Sequence, residues 1–145
     1  MSSTRYVRSG FTLIELMIVV VILAVLAAAV VPRLAGRTQQ ARISTAKMDI
    51  FGNISVALDL YELDNGSYPS SDQGLQALMA KPSSSPVPTN WNGPYLKKRP
   101  IDPWGNEYKY ACPGTHNNDY DLYSAGPEGV EGSEDDINNW ETDES

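Results

Sequence analysis

The chain has 145 residues, and its 18 acidic and 11 basic side chains give a formal net charge of −7. This acidic balance argues against nucleic-acid binding, and the one cysteine, Cys112, excludes an internal disulfide. The chain has one histidine, no glycine-rich phosphate loop and no recognisable Ser-His-Asp set, so we do not expect an enzyme. The part that follows an N-terminal apolar segment is long enough for one modest hydrophobic core.

The N-terminal segment begins with a basic stretch and continues as a long apolar run. Two arginines precede Gly10, and the run that starts at Phe11 is interrupted by one acid, Glu15, and followed by Pro32. As a helix, residues 11–32 would be about long enough to cross the hydrocarbon core of a bilayer. A carboxylate near the start of such a span is costly, which predicts that Glu15 has a function and a partner.

Three interpretations of this segment compete. A secretory signal peptide has a basic start, an apolar centre and a small-residue cleavage site, which residues 27–29 (AAA) would supply. The apolar run is longer than usual for that class, and neither a signal peptide nor a plain membrane anchor gives Glu15 a role. In contrast, residues 10–15 (GFTLIE) resemble the processing site of type IV pilins and pseudopilins. This resemblance implies that a membrane peptidase cuts after Gly10 and that the new N-terminal residue, Phe11, is N-methylated.

Cleavage at this site would also suggest a partner for Glu15. A cationic amine on Phe11 lies about one helical turn before Glu15. In a polymer of staggered helices, Glu15 of one subunit would instead face the Phe11 amine of its neighbour. Pairing removes most of the cost of an isolated buried charge. We therefore expect Glu15 to set the register of assembly.

A second amphipathic stretch predicts that the helix continues beyond Pro32. Apolar residues recur there at steps of three and four, forming one stripe: Ile43, Ala46, Ile50, Ile54, Ala57, Leu58 and Tyr61. The turn signal of residues 64–66 (DNG) ends the helix. The stripe is too short for a coiled coil and lacks its flanking charge order. We expect a small sheet to pack on it.

The remaining elements are short. Residues 67–103 read as a structured connection with a short helix near residues 73–79. Residues 107–112 (EYKYAC) and 119–124 (DYDLYS) are expected to be strands, because aromatic residues alternate along them. The turn between them contains His116, for which a solvated loop position is expected. This order of elements predicts an α+β fold with the helix packed on a small antiparallel sheet.

An ordered series of motifs resembles the major pseudopilins of type II secretion more than pilins at large. In chain order the motifs are residues 63–66 (LDNG), 73–78 (QGLQAL), 91–96 (WNGPYL), 102–106 (DPWGN), 121–124 (DLYS) and 136–140 (DINNW). The match covers residues 9–140. It implies a type IV pilin-like fold in three parts. These are a leader peptide at residues 1–10, a transmembrane and assembly helix at 11–32, and a soluble periplasmic domain at 33–145.

The resemblance also implies a function. The chain would be a single-pass protein of the bacterial inner membrane that polymerises into a periplasmic fibre and drives export of folded proteins across the outer membrane. The implied partners are other copies of the chain, minor pseudopilins, the prepilin peptidase, and an inner-membrane assembly platform with its ATPase. Two alternatives stay open. One is a surface type IV pilin for adhesion, motility or DNA uptake, and the other is a secreted calcium-binding domain cut near Ala29.

Residues 126–136 (GPEGVEGSEDD) form an acidic, glycine-rich loop that is a candidate metal site. A plain solvated loop would show the same composition. However, its three glycines allow tight turns that point carbonyl and carboxylate oxygens inward, and calcium takes six to eight oxygen ligands. The Asp-rich ladder of an EF-hand is missing. Composition alone leaves the solvated loop and the calcium site both open.

The family resemblance favours the calcium site, because major pseudopilins bind Ca²⁺ in this loop. Position by position, Asp135 and Asp136 match two aspartate ligands, and the backbone oxygens of Ala125 and Ser133 match the main-chain ligands. Glu128 stands where the family usually has aspartate, so its longer side chain changes the reach of that ligand. Such an ion would tie the loop to the sheet. It would stabilise the C-terminal loop in place of the disulfide that many type IV pilins have there and that this chain cannot form.

Overall fold

The computed structural model describes residues 10–141, apart from the side chains of residues 30–35. The first nine residues of the predicted leader lie outside this description. The chain divides into two compact units, Met1–Gln39 and Gln40–Ser145.

The first unit contains most of helix α1, which spans Leu13–Met48. Among the described residues, no helix combines the length and the apolarity that crossing a membrane requires. The predicted span at residues 11–32 extends into the segment whose side chains are not described, and it stays a prediction.

The amphipathic stretch from Ile43 to Tyr61 is helical as predicted, but it contains a π-helical turn at Asp49–Ile54 between α1 and α2, which spans Ser55–Asn65. The spacing of the buried residues explains this turn. Ala46, Ile50, Ile54 and Leu58 recur at every fourth position and are at most 1% exposed. In a regular α-helix that spacing drifts by about 40° per step. The wider π turn absorbs much of this drift, so all four residues can face the core.

Helix α2 ends where the sequence predicts. Gly66 has φ +80° and its N–H donates to the carbonyl oxygen of Glu62 at 2.6 Å. A left-handed residue that satisfies a late carbonyl of the helix is the usual glycine C-cap. The predicted short helix is a 3₁₀ helix at Gly74–Leu78.

Three antiparallel strands form the sheet in the order β1-β2-β3, with β1 at Lys109–Ala111, β2 at Asp121–Ser124 and β3 at Ile137–Asn138. Tyr110 pairs with Leu122, and Ser124 pairs with Ile137. Both predicted strands are confirmed but shorter than expected. The third strand was not predicted, because two residues are too few to show an alternating pattern.

The core lies between the helical stripe and the sheet, as expected. Its sheet-side members include Tyr108, Tyr120, Leu122 and Ile137. The hydroxyl of Tyr108 donates to the carboxylate of Asp49 at 2.9 Å, which joins the π turn to the start of β1. Burial, followed by the Asp49 carboxylate, raises the pKa of Tyr108. The phenol therefore stays a neutral donor.

Candidate functional site

The predicted processing site precedes the first helix. Gly10 and Phe11 are exposed and lie ahead of Leu13, where α1 begins. The Phe11 side chain is 87% exposed. This placement leaves the Gly10–Phe11 peptide exposed and ahead of the helix, and cleavage there stays a prediction.

Glu15 has a local partner that the sequence analysis missed. Its Oε2 accepts from the backbone N–H and the hydroxyl of Thr12, both at 3.0 Å, and the Thr12 hydroxyl accepts from the N–H of Glu15 at 3.2 Å. This reciprocal arrangement is a capping box, whose sequence signature, Thr-x-x-Glu, is present at residues 12–15. Glu15 therefore caps α1, and no described residue forms an ion pair with it; its role in assembly stays a prediction.

The large apolar side chains from Phe11 to Leu26, at the start of α1, have no cover within the described residues. Between Phe11 and Leu26 every large apolar side chain is at least 46% exposed. A contiguous apolar surface of this kind marks a membrane or protein interaction site.

The acidic loop brings the side chains of two predicted ligands, Asp135 and Asp136, close to the hydroxyl of a third, Ser133. The Ser133 hydroxyl lies within hydrogen-bond distance of Asp135 Oδ1 and, at 3.1 Å, of Asp136 Oδ1. A hydroxyl has one proton, and the Val130 carbonyl oxygen at 3.0 Å is a further acceptor for it, so it satisfies at most one of these two carboxylates. The Ser133 contact lowers the pKa of Asp135, which keeps that carboxylate ionised. Two converging anions with one shared donor are suited to a cation.

Gly126 is packed against one of these aspartates. It has φ +61°, and a Cβ at this position would meet the backbone carbonyl oxygen of Asp135 and, at 2.9 Å, its carboxylate Oδ2. The space that a side chain would fill is thus occupied by Asp135 oxygens. The close approach also places Asp135 next to the peptide that follows Ala125.

The remaining predicted ligands contribute through their backbones. Ala125 is buried, and its carbonyl accepts from Gly129 N–H at 3.1 Å, which leaves one lone pair. The Ser133 carbonyl accepts from Asp136 N–H at 3.3 Å. Glu128 reaches the cluster by its N–H, which donates to Asp135 Oδ2 at 3.3 Å. Among the described residues, no three His, Cys, Asp or Glu side chains gather as metal ligands. A cation here would therefore depend on carbonyl oxygens beside Asp135 and Asp136.

One acid of the loop is directed away from the cluster. Glu131 forms an ion pair with Lys109 Nζ at 2.8 Å and accepts from the Tyr123 hydroxyl at 2.9 Å. The Lys109 contact, with that of Tyr123, lowers the pKa of Glu131. Glu131 thus ties the loop to strands β1 and β2 and is not a candidate ligand.

His116 lies in a loop as predicted, but its ring is not simply solvated. It stacks on Trp140 with ring centroids 4.1 Å apart, and its Nδ1 lies 3.0 Å from Asp121 Oδ2. Burial by itself raises the pKa of Asp121, but the Asn117 N–H, the His116 ring and the Thr115 N–H outweigh it and hold the pKa well below its usual range. This cluster fastens residue 140 to the loop before β2.

Comparisons with known proteins place these features in a family. The family model described as "Type II secretion system (T2SS), protein G" matches residues 33–140, and the "Prokaryotic N-terminal methylation motif" matches residues 5–31. The chain is 55% identical over 141 residues to the type II secretion system core protein G of Pseudomonas aeruginosa, covering 94% of this chain and 98% of the relative. It is 49% identical over 134 residues to the protein of that name from Escherichia coli K12, covering 92% and 91%.

A solved structure supports the same grouping. The crystal structure of the major pseudopilin from the type 2 secretion system of enterohaemorrhagic Escherichia coli matches with a TM-score of 0.67 and 40% sequence identity. The match covers 74% of this chain and 89% of the other. At this identity the likeness extends to sequence as well as fold.

Proposed function

Because this chain belongs to the type II secretion system protein G family, we propose that it is the major structural subunit of a pseudopilus. Copies of the chain polymerise from the inner membrane into a periplasmic fibre, and growth of the fibre drives folded proteins through an outer-membrane channel. The observation that carries this proposal is the two family models together, which match residues 5–31 and 33–140 in the expected order. No surface pilin or secreted calcium-binding protein accounts as well for both.

The apolar face of α1 supports assembly through this segment. Large apolar side chains from Phe11 to Leu26 are exposed along the helix, which favours lipid as their first environment and other copies of α1 as their second. Residues 11–32 serve in this proposal as both the inner-membrane anchor and the assembly helix. The unit beyond residue 39 then lies in the periplasm.

Processing prepares this helix for assembly. The prepilin peptidase cuts after Gly10, and Phe11 becomes the methylated N-terminus. The cut places a cationic amine on the residue directly before Thr12, whose N–H and hydroxyl already hold the Glu15 carboxylate. The capping box therefore fixes the carboxylate near the new amine of its own chain or that of a neighbouring subunit.

A calcium ion in the acidic loop stabilises the subunit before it assembles. Asp135 and Asp136 supply the carboxylates, and Ala125 and Ser133 supply backbone oxygens. Glu128 is exposed, and its side chain would have to turn toward Asp135 and Asp136 to serve as a ligand. When bound, the ion neutralises the two converging aspartates and ties the loop to the sheet. The close approach of Gly126 to Asp135 supports this assignment, because it places a carboxylate oxygen of Asp135 beside the peptide that carries the Ala125 carbonyl.

Assembly requires partners beyond other copies of the chain. We propose that minor pseudopilins initiate the fibre and that an inner-membrane platform with a cytoplasmic ATPase adds subunits. The chain contributes no catalysis to these steps. Its function lies in the geometry with which subunits stack.

Determining the mature N-terminus by mass spectrometry, with the fibre imaged in the same cells, tests the proposal. We expect a methylated Phe11, and we expect Gly10→Ala to keep the leader and to form no fibre. A mature chain that starts at Val30 would refute both fibre-forming functions and favour a secreted domain. Fibres on the surface of cells that do not secrete through this system would favour a surface pilin instead.

A further inference from the structure

A buried pair of polar side chains connects the turn at residues 102–106 to the acidic loop. Asp102 is 3% exposed and Ser124 is fully buried, and the Ser124 hydroxyl donates to Asp102 Oδ2 at 2.6 Å. Burying a carboxylate is costly unless hydrogen bonds compensate it. Asp102 therefore depends on the hydrogen-bond donors around it.

The second oxygen of Asp102 fixes the orientation of its side chain. Oδ1 accepts from the backbone N–H of Trp104 at 3.0 Å and of Asn106 at 2.8 Å. The backbone N–H of Asp102 in turn donates to the Asn106 carbonyl at 2.8 Å. Because both carboxylate oxygens are engaged, the side chain cannot rotate without losing several bonds at once. Asp102 is a rigid acceptor aimed at Ser124.

Ser124 connects the fixed Asp102 side chain to the acidic loop. Its hydroxyl donates to Asp102 and accepts from the Gly126 N–H at 3.1 Å, so both roles of the hydroxyl are used. The Ala125 carbonyl lies between Ser124 and Gly126, the two residues that these hydrogen bonds hold in place. The Gly126 backbone in turn lies so close to Asp135 that an added Cβ would meet its carbonyl oxygen and its carboxylate Oδ2. A continuous set of contacts thus leads from Asp102 to a carboxylate of the proposed calcium site.

We propose that Asp102 and Ser124 are positioning residues for the calcium ion. They hold the peptides on either side of Ala125, so that its carbonyl and the Asp135 carboxylate face the same ion. Neither side chain touches the ion. This inference rests on the proposed calcium site, and it assigns a role to two residues outside the acidic loop. Groups that orient metal ligands in this way typically change metal affinity about 10- to 100-fold when removed.

Calorimetric titration of the full-length protein in detergent with calcium chloride tests the inference. Ser124→Ala removes the donor to Asp102 and the acceptor for Gly126, and we expect its calcium affinity to fall by about 10- to 100-fold. Asp102→Asn is a second variant of nearly the same volume, whose amide can still accept from the turn but presents a donor to Ser124. We expect a loss of the same kind, and this variant decides the question if Ser124→Ala does not fold without calcium.

Tyr110→Phe is the matched control for general destabilisation. It removes a hydroxyl that donates to the Pro69 carbonyl at 2.8 Å. We expect it to lower the melting temperature of the calcium-free protein and to leave calcium affinity unchanged. Wild-type affinity in both Ser124→Ala and Asp102→Asn would overturn the inference, as would an equal loss in Tyr110→Phe. Failure of the wild-type protein to bind calcium would instead overturn the calcium site itself.

Discussion

The substitution Gly126→Ala tests whether the backbone at this position must lie against Asp135. A left-handed conformation costs a non-glycine residue about 1–2 kcal/mol, and Gly126 has φ +61°. A Cβ would also meet the Asp135 carbonyl oxygen, which belongs to the backbone and cannot swing away. Overpacking of this kind typically costs about 1–3 kcal/mol more. We therefore expect a loss of about 2–5 kcal/mol in the free energy of unfolding of the unit after residue 39.

Gly132→Ala is the matched control, because Gly132 has φ +83° and its added Cβ would have no neighbour within 4 Å. It carries the backbone cost of about 1–2 kcal/mol without the steric one. Thermal unfolding in the presence of a chelator separates the two variants. All three tryptophans lie beyond residue 39, so near-ultraviolet circular dichroism reports on this unit.

The steric difference should appear as a difference in melting temperature. At about 4 °C per kcal/mol for a domain of this size, Gly126→Ala should melt roughly 4–12 °C below Gly132→Ala. Calcium should then recover less stability in Gly126→Ala, because the displaced Asp135 is a proposed ligand. Coincident melting temperatures for the two variants would refute the reasoning, since they would show that Asp135 moves aside without cost.

Three further predictions concern charged residues. Glu15→Ala should leave membrane insertion intact and abolish the fibres seen by electron microscopy. Glu15→Gln keeps the capping box but not the charge, and it should abolish the fibres too. Normal fibres from the glutamine variant would assign Glu15 to capping alone. Replacing Asp135 and Asp136 together by alanine should remove the calcium-dependent rise in melting temperature, and a rise equal to wild type would count against the site. Asp121 has a lowered pKa, so its contribution to stability is present above about pH 4 and is lost as pH falls below that value. Asp121→Asn should therefore destabilise the protein at pH 7 and flatten the pH dependence of urea unfolding below pH ~4, whereas an unchanged profile would contradict this assignment.

The helical stripe and the two longer strands could be predicted because each carries a periodic pattern. The π turn could not be assigned from propensity, since no residue type specifies it. The sequence signal for this turn is that Ala46, Ile50, Ile54 and Leu58 recur at every fourth position. A regular α-helix would distribute these four residues around its surface. Strand β3 is formed by pairing with β2 and has no pattern of its own. Tertiary contacts determine both elements.

The contacts within the acidic loop could be predicted only in part, for a similar reason, and the metal site itself stays a prediction. Asp135, Asp136 and Ser133 are close in sequence, so a tight loop brings them together. The supporting pair of Asp102 and Ser124 is 22 residues apart in sequence, and only the fold places it beside the loop. The capping box of Thr12 and Glu15 is local and could have been read directly from its spacing.

The fold limits what the proposed calcium ion would have to do. Ser124 and Ile137 are paired neighbours on β2 and β3, so the ends of the acidic loop are already held together without calcium. The segment after β3 has its own fastening, because the Asn139 side chain accepts from Leu122 N–H at 2.9 Å and Trp140 stacks on His116. Since the entropy of closing the loop is met by the sheet, calcium needs only to order the residues within it. We therefore expect the proposed site to bind calcium through its two aspartates even though Glu128 is exposed. We also expect loss of the ion to loosen the loop without releasing the C-terminal strand.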